Sequence, residues 1–254
     1  MSLSANHPYQ PPLNATDCLT PISEFASVKK NDWHRVDRVI GKAGNLVINR
    51  DRRSAGHEDI IIIRNDENNP PENEIWHADM SYLKMPIFAS VLHGVKIPPA
   101  GGDTLWVDMA AIAADLSAPM ASFLRSLTAS HTIEQGFSFV ADLGQNDRAA
   151  TLAKSINENS RANHPVTGIE ALFVNAAFTV GINELSRNES DDILRHLYQL
   201  INHQRYQLRV KWQPGTVIMW DNWATQHFAC GDHYPAPREM QRVTVGTPCV
   251  DYLH

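Results

Sequence analysis

The sequence contains no long hydrophobic run, few cysteines and no excess of positive charge. Its longest aliphatic run, residues 60–63, is far shorter than the roughly 18 apolar residues of a membrane-spanning helix. The N-terminus has no basic start followed by an apolar stretch, so no secretory signal is visible. Cys18, Cys230 and Cys249 lack metal-ligand spacing and are too few for a disulfide framework. A net charge of −6 disfavours nucleic-acid binding. We therefore expect a cytoplasmic protein that binds neither nucleic acid nor membranes.

The remaining composition is that of an ordinary globular protein. The chain has 254 residues, of which 43% are hydrophobic, and this is enough to bury a core without disulfides. Because no repeat or linker is visible, we predict a single domain over residues 1–254. Residues 1–45 begin with a segment rich in Pro, Ser and Asn and are predicted to form an N-terminal arm. Residues 128–165 are polar and aperiodic, which is typical of a lid or an insertion.

Short strands separated by turns dominate the rest of the pattern. The predicted strands span residues 60–63, 76–82, 88–97, 104–107, 171–175, 206–212, 216–220 and 241–246. Residues 206–212 and 216–220 flank a Gln-Pro-Gly turn and are predicted to pair as a hairpin. Helices are predicted at 109–127, interrupted at Pro119, and at 190–202, with Ser190 as the N-cap. Many short strands with a few helices outside them favour a β-sandwich or a jelly-roll barrel.

His77 and Asp79 are the first candidate metal ligands. In a strand, positions i and i+2 project to the same face. An imidazole and a carboxylate on one face form half of the two-His-one-carboxylate site of non-haem Fe(II) oxygenases. A chain with 12 His and 28 acidic residues contains such pairs by chance, and His57 with Asp59 is a second one, which we assign to the surface. The pair alone is therefore weak evidence.

The wider context strengthens this interpretation. The chain contains, in order, NEIWHAD at 73–79, PAGGDTLW at 99–106 and WDNWATQH at 220–227, followed by Arg238 and Arg242. Together these motifs closely resemble the TauD/TfdA family of Fe(II)- and 2-oxoglutarate-dependent dioxygenases. The family pattern is HxD, then a Thr after one strand and turn, then a distant His and an Arg shortly beyond it. The resemblance extends from about residue 59 to residue 248.

The resemblance implies a catalytic iron bound by His77, Asp79 and His227. Three protein ligands on one face of an octahedral ion leave three positions open. In the family, 2-oxoglutarate takes two of these positions and O₂ takes the third. Taken alone, His227 is better explained as a buried, hydrogen-bonded core histidine, and only the rest of the pattern reverses that preference.

The resemblance also assigns residues to the 2-oxoglutarate site. Thr104 and Arg238 correspond to the pair that holds the far carboxylate, since a guanidinium offers a rigid fork matched to a carboxylate. Without the family, Arg238 is interpreted as a surface arginine in a Pro-rich loop. Trp220, in the strand leading to His227, is expected to pack against the same pocket, with plain core packing as the alternative.

Four further residues are implied as substrate contacts. Arg242 shares a strand face with Arg238 and matches the residue that binds the anionic head group of the prime substrate. Asn73 matches a substrate-contacting asparagine of the taurine enzymes. Phe137 and Phe178 fall where the family places aromatic pocket walls, although core packing explains both equally well.

The sequence departs from the family in three places. Residues 1–45 match only weakly, although the family has a strand and a helix before the matched region. Either the sheet lacks an edge strand or the arm has been rebuilt, and we expect added stability or homo-oligomerisation to compensate. Taurine enzymes carry a His and a Tyr upstream of the tetra-Ile strand, and residues 44–50 contain neither. Trp223 stands where many members have Arg, and nothing in the sequence accounts for it.

The resemblance implies a double-stranded β-helix, a mainly β jelly roll with peripheral helices, that hydroxylates a small anionic substrate. Taurine or another sulfonate, a sulfate ester or a related acid is expected, with release of succinate and CO₂. Oxidation of an aryloxyalkanoate or of a secondary metabolite is an alternative within the family. A non-catalytic, degenerate member is a second alternative. A zinc hydrolase using the same ligands is a third, but the sequence offers no distinct general base for it.

Overall fold

A computed structural model of the chain describes residues 53–54, 57–72, 74–83, 86–132 and 161–246. The predicted arm at 1–45 and two predicted substrate contacts, Asn73 and Phe137, lie outside the described residues. Residues 133–160, the middle of the predicted lid, also lie outside them. No helix in the described part of the chain combines the length and the apolar character needed to cross a membrane.

The larger sheet is antiparallel and has five strands in the order β1-β2-β12-β3-β10. Its strands are β1 (Arg53–Ser54), β2 (His57–Asn65), β12 (Arg238–Val245), β3 (Ala89–Lys96) and β10 (Val217–Asp221). The tetra-Ile run lies in β2, as predicted, because β-branched side chains suit the pleated surface of a sheet. Ile60 packs there against Val243 of the neighbouring strand β12 and Val91 of β3, the next strand beyond it. The long final strand β12 lies between β2 and β3, at the centre of the sheet.

A second antiparallel sheet faces the first. It has the order β11-β4-β9 and consists of β11 (Thr225–Ala229), β4 (Thr104–Asp108) and β9 (Gln207–Val210). Trp106 of this sheet lies 5.5 Å from Trp220 of the larger sheet, measured between ring centroids. Trp212, in the connection between β9 and β10, joins the same buried cluster. Two sheets packed across an aromatic core confirm the predicted mainly β jelly roll.

The helices pack beside the two sheets. They are α1 (Met109–Asp115), α2 (Ala118–Arg125) and α3 (Arg187–Ile201). Pro119 lies in the first turn of α2, where a backbone N–H has no partner within the helix, so the missing N–H of proline costs no hydrogen bond. The predicted break between two helical segments near Pro119 is therefore confirmed. Two short strand pairs complete the described fold: β5 (Ala129–His131) with β8 (Thr179–Ile182), and β6 (Arg161–Asn163) with β7 (Glu170–Leu172). The segment predicted as a lid thus begins and ends in strands.

The predicted start of the last helix and the predicted hairpin are wrong. Helix α3 begins earlier than predicted, with Ser186 rather than Ser190 as its N-cap, because Glu189 accepts hydrogen bonds from the backbone and hydroxyl of Ser186. Ser190 is instead buried and accepts a hydrogen bond from the backbone N–H of Ile182 (2.9 Å). The predicted hairpin between 206–212 and 216–220 does not form, since β9 pairs with β4 and β10 with β3. The Gln-Pro-Gly connection carries the chain from one sheet to the other.

Candidate metal centre

His77 and His227, which are 150 positions apart in the chain, are joined directly through their backbones. The N–H of His77 donates to the carbonyl of His227 (3.1 Å), and the N–H of His227 donates to the carbonyl of His77 (2.8 Å). His227 lies in β11, and His77 forms an isolated bridge beside it. Their ring centroids are 4.1 Å apart. The two candidate ligands that the sequence places furthest apart therefore meet.

Asp79 reaches the same place through a turn, not through a strand. The predicted strand at 76–82 is wrong, because within it only His77 pairs and the chain turns at residues 79–82. Met80 has a φ of +56°, a conformation that non-glycine residues rarely adopt and that ends extended pairing. The N–H of Leu83 then closes the turn on the carbonyl of Met80 (3.0 Å). The sequence correctly predicted that His77 and Asp79 lie close together. The structure achieves this through the turn at Met80 and not through the alternation of a strand.

The three side chains form a compact donor set. Oδ1 of Asp79 lies 3.8 Å from Nε2 of His77 and 3.9 Å from Nε2 of His227. All three ligand atoms lie within 4.8 Å of one another, and all three residues are buried. Atoms bonded at about 2 Å to one ion lie at most about 4 Å apart, so both Asp79 separations allow a shared ion. Two imidazoles and one carboxylate with open positions form the donor set of non-haem Fe(II) sites, so the residues fit such an ion.

Hydrogen bonding presents a free nitrogen of His77 to the site. Nδ1 of His77 lies 2.8 Å from the carbonyl of Ile75. Because a carbonyl can only accept, Nδ1 carries the proton and Nε2 keeps its lone pair. That lone pair is directed at the space shared with Asp79 and His227, as a metal ligand requires.

The charge states also suit metal binding. Burial lowers the pKa of His227 to about 3 and also lowers the pKa of His77, so both imidazoles are neutral at pH 7. Burial acts to raise the pKa of Asp79, but the Arg242 guanidinium, the two imidazoles when they are protonated and the Ser90 hydrogen bond outweigh it and hold that pKa well below its usual range. The site therefore offers two neutral nitrogens and one carboxylate anion.

Arg242 lies directly against this carboxylate. Its Nη1 donates to Oδ1 of Asp79 at 2.9 Å, and its Nε is buried without a hydrogen-bond partner among the described residues. Arg242 and Arg238 also line one cavity, as the shared strand face predicts. The predicted substrate-binding arginine thus already contacts a candidate metal ligand.

The cavity beside the donor set has a volume of about 160 Å³. It brings together five residues that the sequence singled out: Thr104, Trp220, His227, Arg238 and Arg242. Polar residues of the β2–β3 connection, among them Asn68 and Asn69, line it as well. One predicted metal ligand, His227, therefore shares this pocket with the predicted 2-oxoglutarate residues and with Arg242, whereas His77 and Asp79 are not among its lining residues.

Arg238 is a buried cation with an unused hydrogen-bond donor. It is only 5% exposed, and its Nε has no partner among the described residues. Burial lowers its pKa to about 10, which leaves it charged at pH 7. Gly102 allows this close packing, because a Cβ at that position would lie 3.1 Å from Cδ of Arg238. A buried, charged guanidinium facing a cavity is suited to bind a carboxylate.

Thr104 has a hydroxyl whose direction is set by a neighbour. Nε1 of Trp212 donates to Oγ1 of Thr104 at 2.9 Å. The Thr104 proton is therefore free to point elsewhere, and the cavity that Thr104 lines is available to it. Trp212 was not singled out from the sequence.

Aromatic side chains pack around the two histidines. Trp220 lies 4.8 Å from the His227 ring and also lines the cavity, so its predicted pocket contact and its core packing are both present. Phe178 is 1% exposed and lies 6.1 Å from the His77 ring and 5.0 Å from the Tyr82 ring. It packs behind His77 and is not among the residues that line the cavity. Trp223 stacks near Phe173 at 5.6 Å, outside the cavity lining.

Sequence reasoning missed Ser90 and Asn222. Ser90 donates to Oδ2 of Asp79 at 2.7 Å, and Nδ2 of Asn222 donates to the Ser90 hydroxyl at 3.1 Å. Each is a single polar residue in or beside an apolar strand. Such a position is a weak signal until the strand that faces it is known.

Comparisons with known proteins agree with this geometry. The family model for "Taurine catabolism dioxygenase TauD, TfdA family" matches residues 28–244. An alpha-ketoglutarate-dependent sulfonate dioxygenase of Saccharomyces cerevisiae is 37% identical over 171 residues, which cover 66% of this chain and 41% of that protein. An alpha-ketoglutarate-dependent sulfate ester dioxygenase of Pseudomonas putida is 30% identical over 177 residues, which cover 67% of this chain and 58% of that protein.

A solved structure shares the fold. It belongs to a Burkholderia xenovorans protein described as a candidate alpha-ketoglutarate-dependent taurine dioxygenase, with a TM-score of 0.72 and 28% identity. The match covers 87% of this chain and 75% of that one. The chain spans about half the length of the two curated relatives, 41% and 58%.

Proposed function

The chain belongs to the taurine catabolism dioxygenase TauD, TfdA family, and from this premise we propose that it is an Fe(II)- and 2-oxoglutarate-dependent dioxygenase of a small anionic substrate. The observation that carries the proposal is the buried set of His77, Asp79 and His227 beside a cavity that also contains Arg238. Neither the donor set nor the buried cation alone distinguishes this chemistry from a structural ion pair. Together they provide a metal site and, next to it, a carboxylate site.

The metal would be held by Nε2 of His77, Oδ1 of Asp79 and Nε2 of His227. When bound, Fe(II) supplies the O₂ chemistry that couples decarboxylation of 2-oxoglutarate, to succinate and CO₂, with hydroxylation of the substrate. The chain holds His77 and His227 rigidly, because the backbone bridge between them fixes their separation. Phe178 and Trp220 pack against the imidazole rings and limit their rotation.

The far carboxylate of 2-oxoglutarate would be bound by Arg238 and Thr104. Arg238 contributes charge-assisted donors, and a hydrogen bond of this kind contributes about 1.5–3 kcal/mol. Thr104 contributes a hydroxyl proton that Trp212 leaves available. Since Arg238 begins β12 and Thr104 begins β4, the carboxylate would be held between the two sheets.

The anionic group of the prime substrate is assigned to Arg242. A guanidinium has five N–H donors, and Asp79 engages one nitrogen of Arg242 while Nε has no partner among the described residues. Asn73 and Phe137 stay proposed substrate contacts outside the described residues. Phe178 is assigned the wall behind His77.

Sulfonates and sulfate esters are the proposed substrate class. The names of the yeast and Pseudomonas relatives support this choice, since one is a sulfonate dioxygenase and the other a sulfate ester dioxygenase. The lack of the taurine enzymes' His and Tyr in residues 44–50 argues for a substrate other than taurine itself. Both substrate types present a compact anion to an arginine.

The test begins with anaerobic addition of Fe(II) and 2-oxoglutarate to the protein. We expect a visible charge-transfer band from the chelate, and its absence in folded protein would favour a non-catalytic member of the family. Sulfonates, sulfate esters and aryloxy acids are then screened by succinate release in air. Preference for an aryloxy acid would overturn the substrate assignment alone, and turnover without O₂ or 2-oxoglutarate would indicate a hydrolase.

A further inference from the structure

The two carboxylate oxygens of Asp79 have different surroundings. Oδ1 faces the Nε2 atoms of His77 and His227. Oδ2 accepts a hydrogen bond from the hydroxyl of Ser90 at 2.7 Å, and Ser90 is completely buried. A short hydrogen bond to an ionised carboxylate in a buried site is among the stronger kinds in proteins. Oδ2 of Asp79 is therefore held by Ser90, while Oδ1 faces the histidines and accepts the Arg242 hydrogen bond.

Three hydrogen bonds run in one direction, from Trp220 to Asn222, from Asn222 to Ser90 and from Ser90 to Asp79. The indole N–H of Trp220 can only donate, so its partner at 3.0 Å is the carbonyl oxygen of the Asn222 side chain. The amide nitrogen of Asn222 must then be the atom that donates to the Ser90 hydroxyl at 3.1 Å. Because that hydroxyl accepts from Asn222, its single proton goes to Asp79. The indole donor of Trp220 therefore sets the donor and the acceptor of each following hydrogen bond, so that the Ser90 proton is directed at Asp79.

This hydrogen-bond chain is built on the sheet, whereas Asp79 itself lies on a turn. Ser90 in β3 is directly opposite Trp220 in β10. Asn222 immediately follows β10, and its backbone N–H donates to the carbonyl of Phe88 at 3.0 Å. Ser90 and Asn222 are 0% and 1% exposed, so the protein encloses both side chains. The sheet therefore orients the Asp79 carboxylate through this hydrogen-bond chain, and the turn at Met80, which carries Asp79, does not.

A freely rotating Asp79 carboxylate would have two competing arrangements. It could offer both oxygens to the metal and occupy a position that must stay open for 2-oxoglutarate or O₂. It could also offer both oxygens to Arg242, which already donates to Oδ1, because a guanidinium fork can engage a carboxylate through two hydrogen bonds. Each arrangement changes the number or the direction of the oxygens that Asp79 offers to the metal. The Ser90 hydrogen bond opposes both.

We propose that Ser90 and Asn222 are positioning residues that hold Asp79 as a one-oxygen metal ligand, with Oδ1 directed at His77 and His227. The inference rests on the metal centre of the proposed function. It adds two residues outside the ligand set, neither of which touches substrate. Loss of such supporting hydrogen bonds typically weakens metal binding by about 10- to 100-fold.

The test is a Co(II) titration of the metal-free protein, followed by visible absorption. Ser90→Ala removes the donor, and we expect Co(II) affinity to fall by about 10-fold or more, with a changed d–d spectrum because the ligand count changes. Ser90→Thr keeps a hydroxyl in a strand position that tolerates β-branching, and it should restore both affinity and spectrum. Asn222→Ala leaves Ser90 in place but frees its hydroxyl, so an intermediate loss is expected.

Ser190→Ala is the matched control. Ser190 is also buried and its hydroxyl is also hydrogen-bonded, but to the backbone of Ile182 in another part of the fold. Its loss should lower the melting temperature without changing Co(II) affinity or the spectrum. Melting curves of every variant show which ones are folded, and if Ser90→Ala does not fold, the titration of Asn222→Ala decides the question.

The outcomes separate this inference from the metal centre. Tight Co(II) binding by the wild type, with the same affinity and spectrum in folded Ser90→Ala or Asn222→Ala, would overturn the positioning role alone. A wild type that binds no Co(II) would overturn the metal centre and the positioning role together. A weaker affinity that Ser90→Thr does not restore, with an unchanged spectrum, would reduce Ser90 to a packing residue.

Discussion

Arg242 donates a hydrogen bond to Oδ1 of Asp79, the same carboxylate oxygen that faces both histidines of the candidate metal centre. A carboxylate oxygen can accept from a guanidinium and still bind a metal ion. Arg242 therefore supports a ligand and, from the same position in the cavity, can meet an anion beside that ligand. A substrate anion bound to Arg242 would lie next to the metal, where its neighbouring C–H bonds can react.

Replacement of Arg242 should mainly affect the prime substrate. Arg242→Ala removes charge-assisted donors that contribute about 1.5–3 kcal/mol each, so the substrate KM should rise by about 10-fold or more. The dissociation constant of 2-oxoglutarate should stay close to that of the wild type, because Arg238 and Thr104 are intact. Steady-state kinetics and anaerobic titration of the charge-transfer band measure the two effects. Equal weakening of both ligands, with the Fe(II) affinity unchanged, would place Arg242 in the 2-oxoglutarate site.

Replacement of Arg238 should produce the opposite pattern. Arg238→Ala should raise the KM for 2-oxoglutarate by about 10- to 100-fold, because the only assigned cation for the far carboxylate is lost. Arg238→Lys should recover little, since an ammonium cannot reproduce the fork. Arg125→Ala is the control, because Arg125 is exposed and pairs with Glu170 on the surface. An unchanged 2-oxoglutarate KM in folded Arg238→Ala would contradict the assignment.

Trp212 should act on 2-oxoglutarate through Thr104. Trp212→Phe removes the indole donor that directs the Thr104 hydroxyl, and the 2-oxoglutarate KM should rise by about 2- to 10-fold, with kcat little changed. A double-mutant cycle with Thr104→Val provides the check. If Trp212 acts through the hydroxyl, Trp212→Phe adds nothing once Thr104 is Val. Full additivity would mean that Trp212 contributes only by packing.

Glu184 should make stability dependent on pH. Its carboxylate accepts hydrogen bonds from the backbone N–H and hydroxyl of Thr128, and these lower its pKa below the ordinary value of 4.5. The stabilisation is present above pH 4.5 and is lost as the pH falls through the lowered pKa of the folded state. Wild type should therefore melt above Glu184→Gln at pH 7, and the difference should shrink toward pH 3. A difference that grows in acid would contradict this account.

The sequence was sufficient to select three side chains that lie together in the structure, but not to predict their local geometry. His77, Asp79 and His227 could be selected because the motif order is specific and because few chemistries need those residue types. The strand inferred for 76–82 was wrong because the conformation of Met80 depends on tertiary contacts that a local pattern does not contain. The backbone bridge between His77 and His227 likewise joins segments that no local signal connects.

The jelly-roll class was predictable, but the strand partners were not. Alternation in 206–212 and 216–220 indicated two strands correctly, yet the turn between them was interpreted as a hairpin when it connects two different sheets. Ser90 was missed for the same reason, since its significance depends on Trp220 lying opposite it. Trp223, placed where many family members have Arg, has no explanation in the structure.

The central claim is that one metal ion is bound by His77, Asp79 and His227, and anaerobic Fe(II) binding to the wild type and to His77→Ala and His227→Ala tests it most directly. His203→Ala, at an exposed position outside the cavity, serves as the control. The account predicts one Fe(II) per chain in the wild type and in His203→Ala, and loss of tight binding in folded His77→Ala and His227→Ala. Undiminished binding of one Fe(II) by either of these two variants would contradict it.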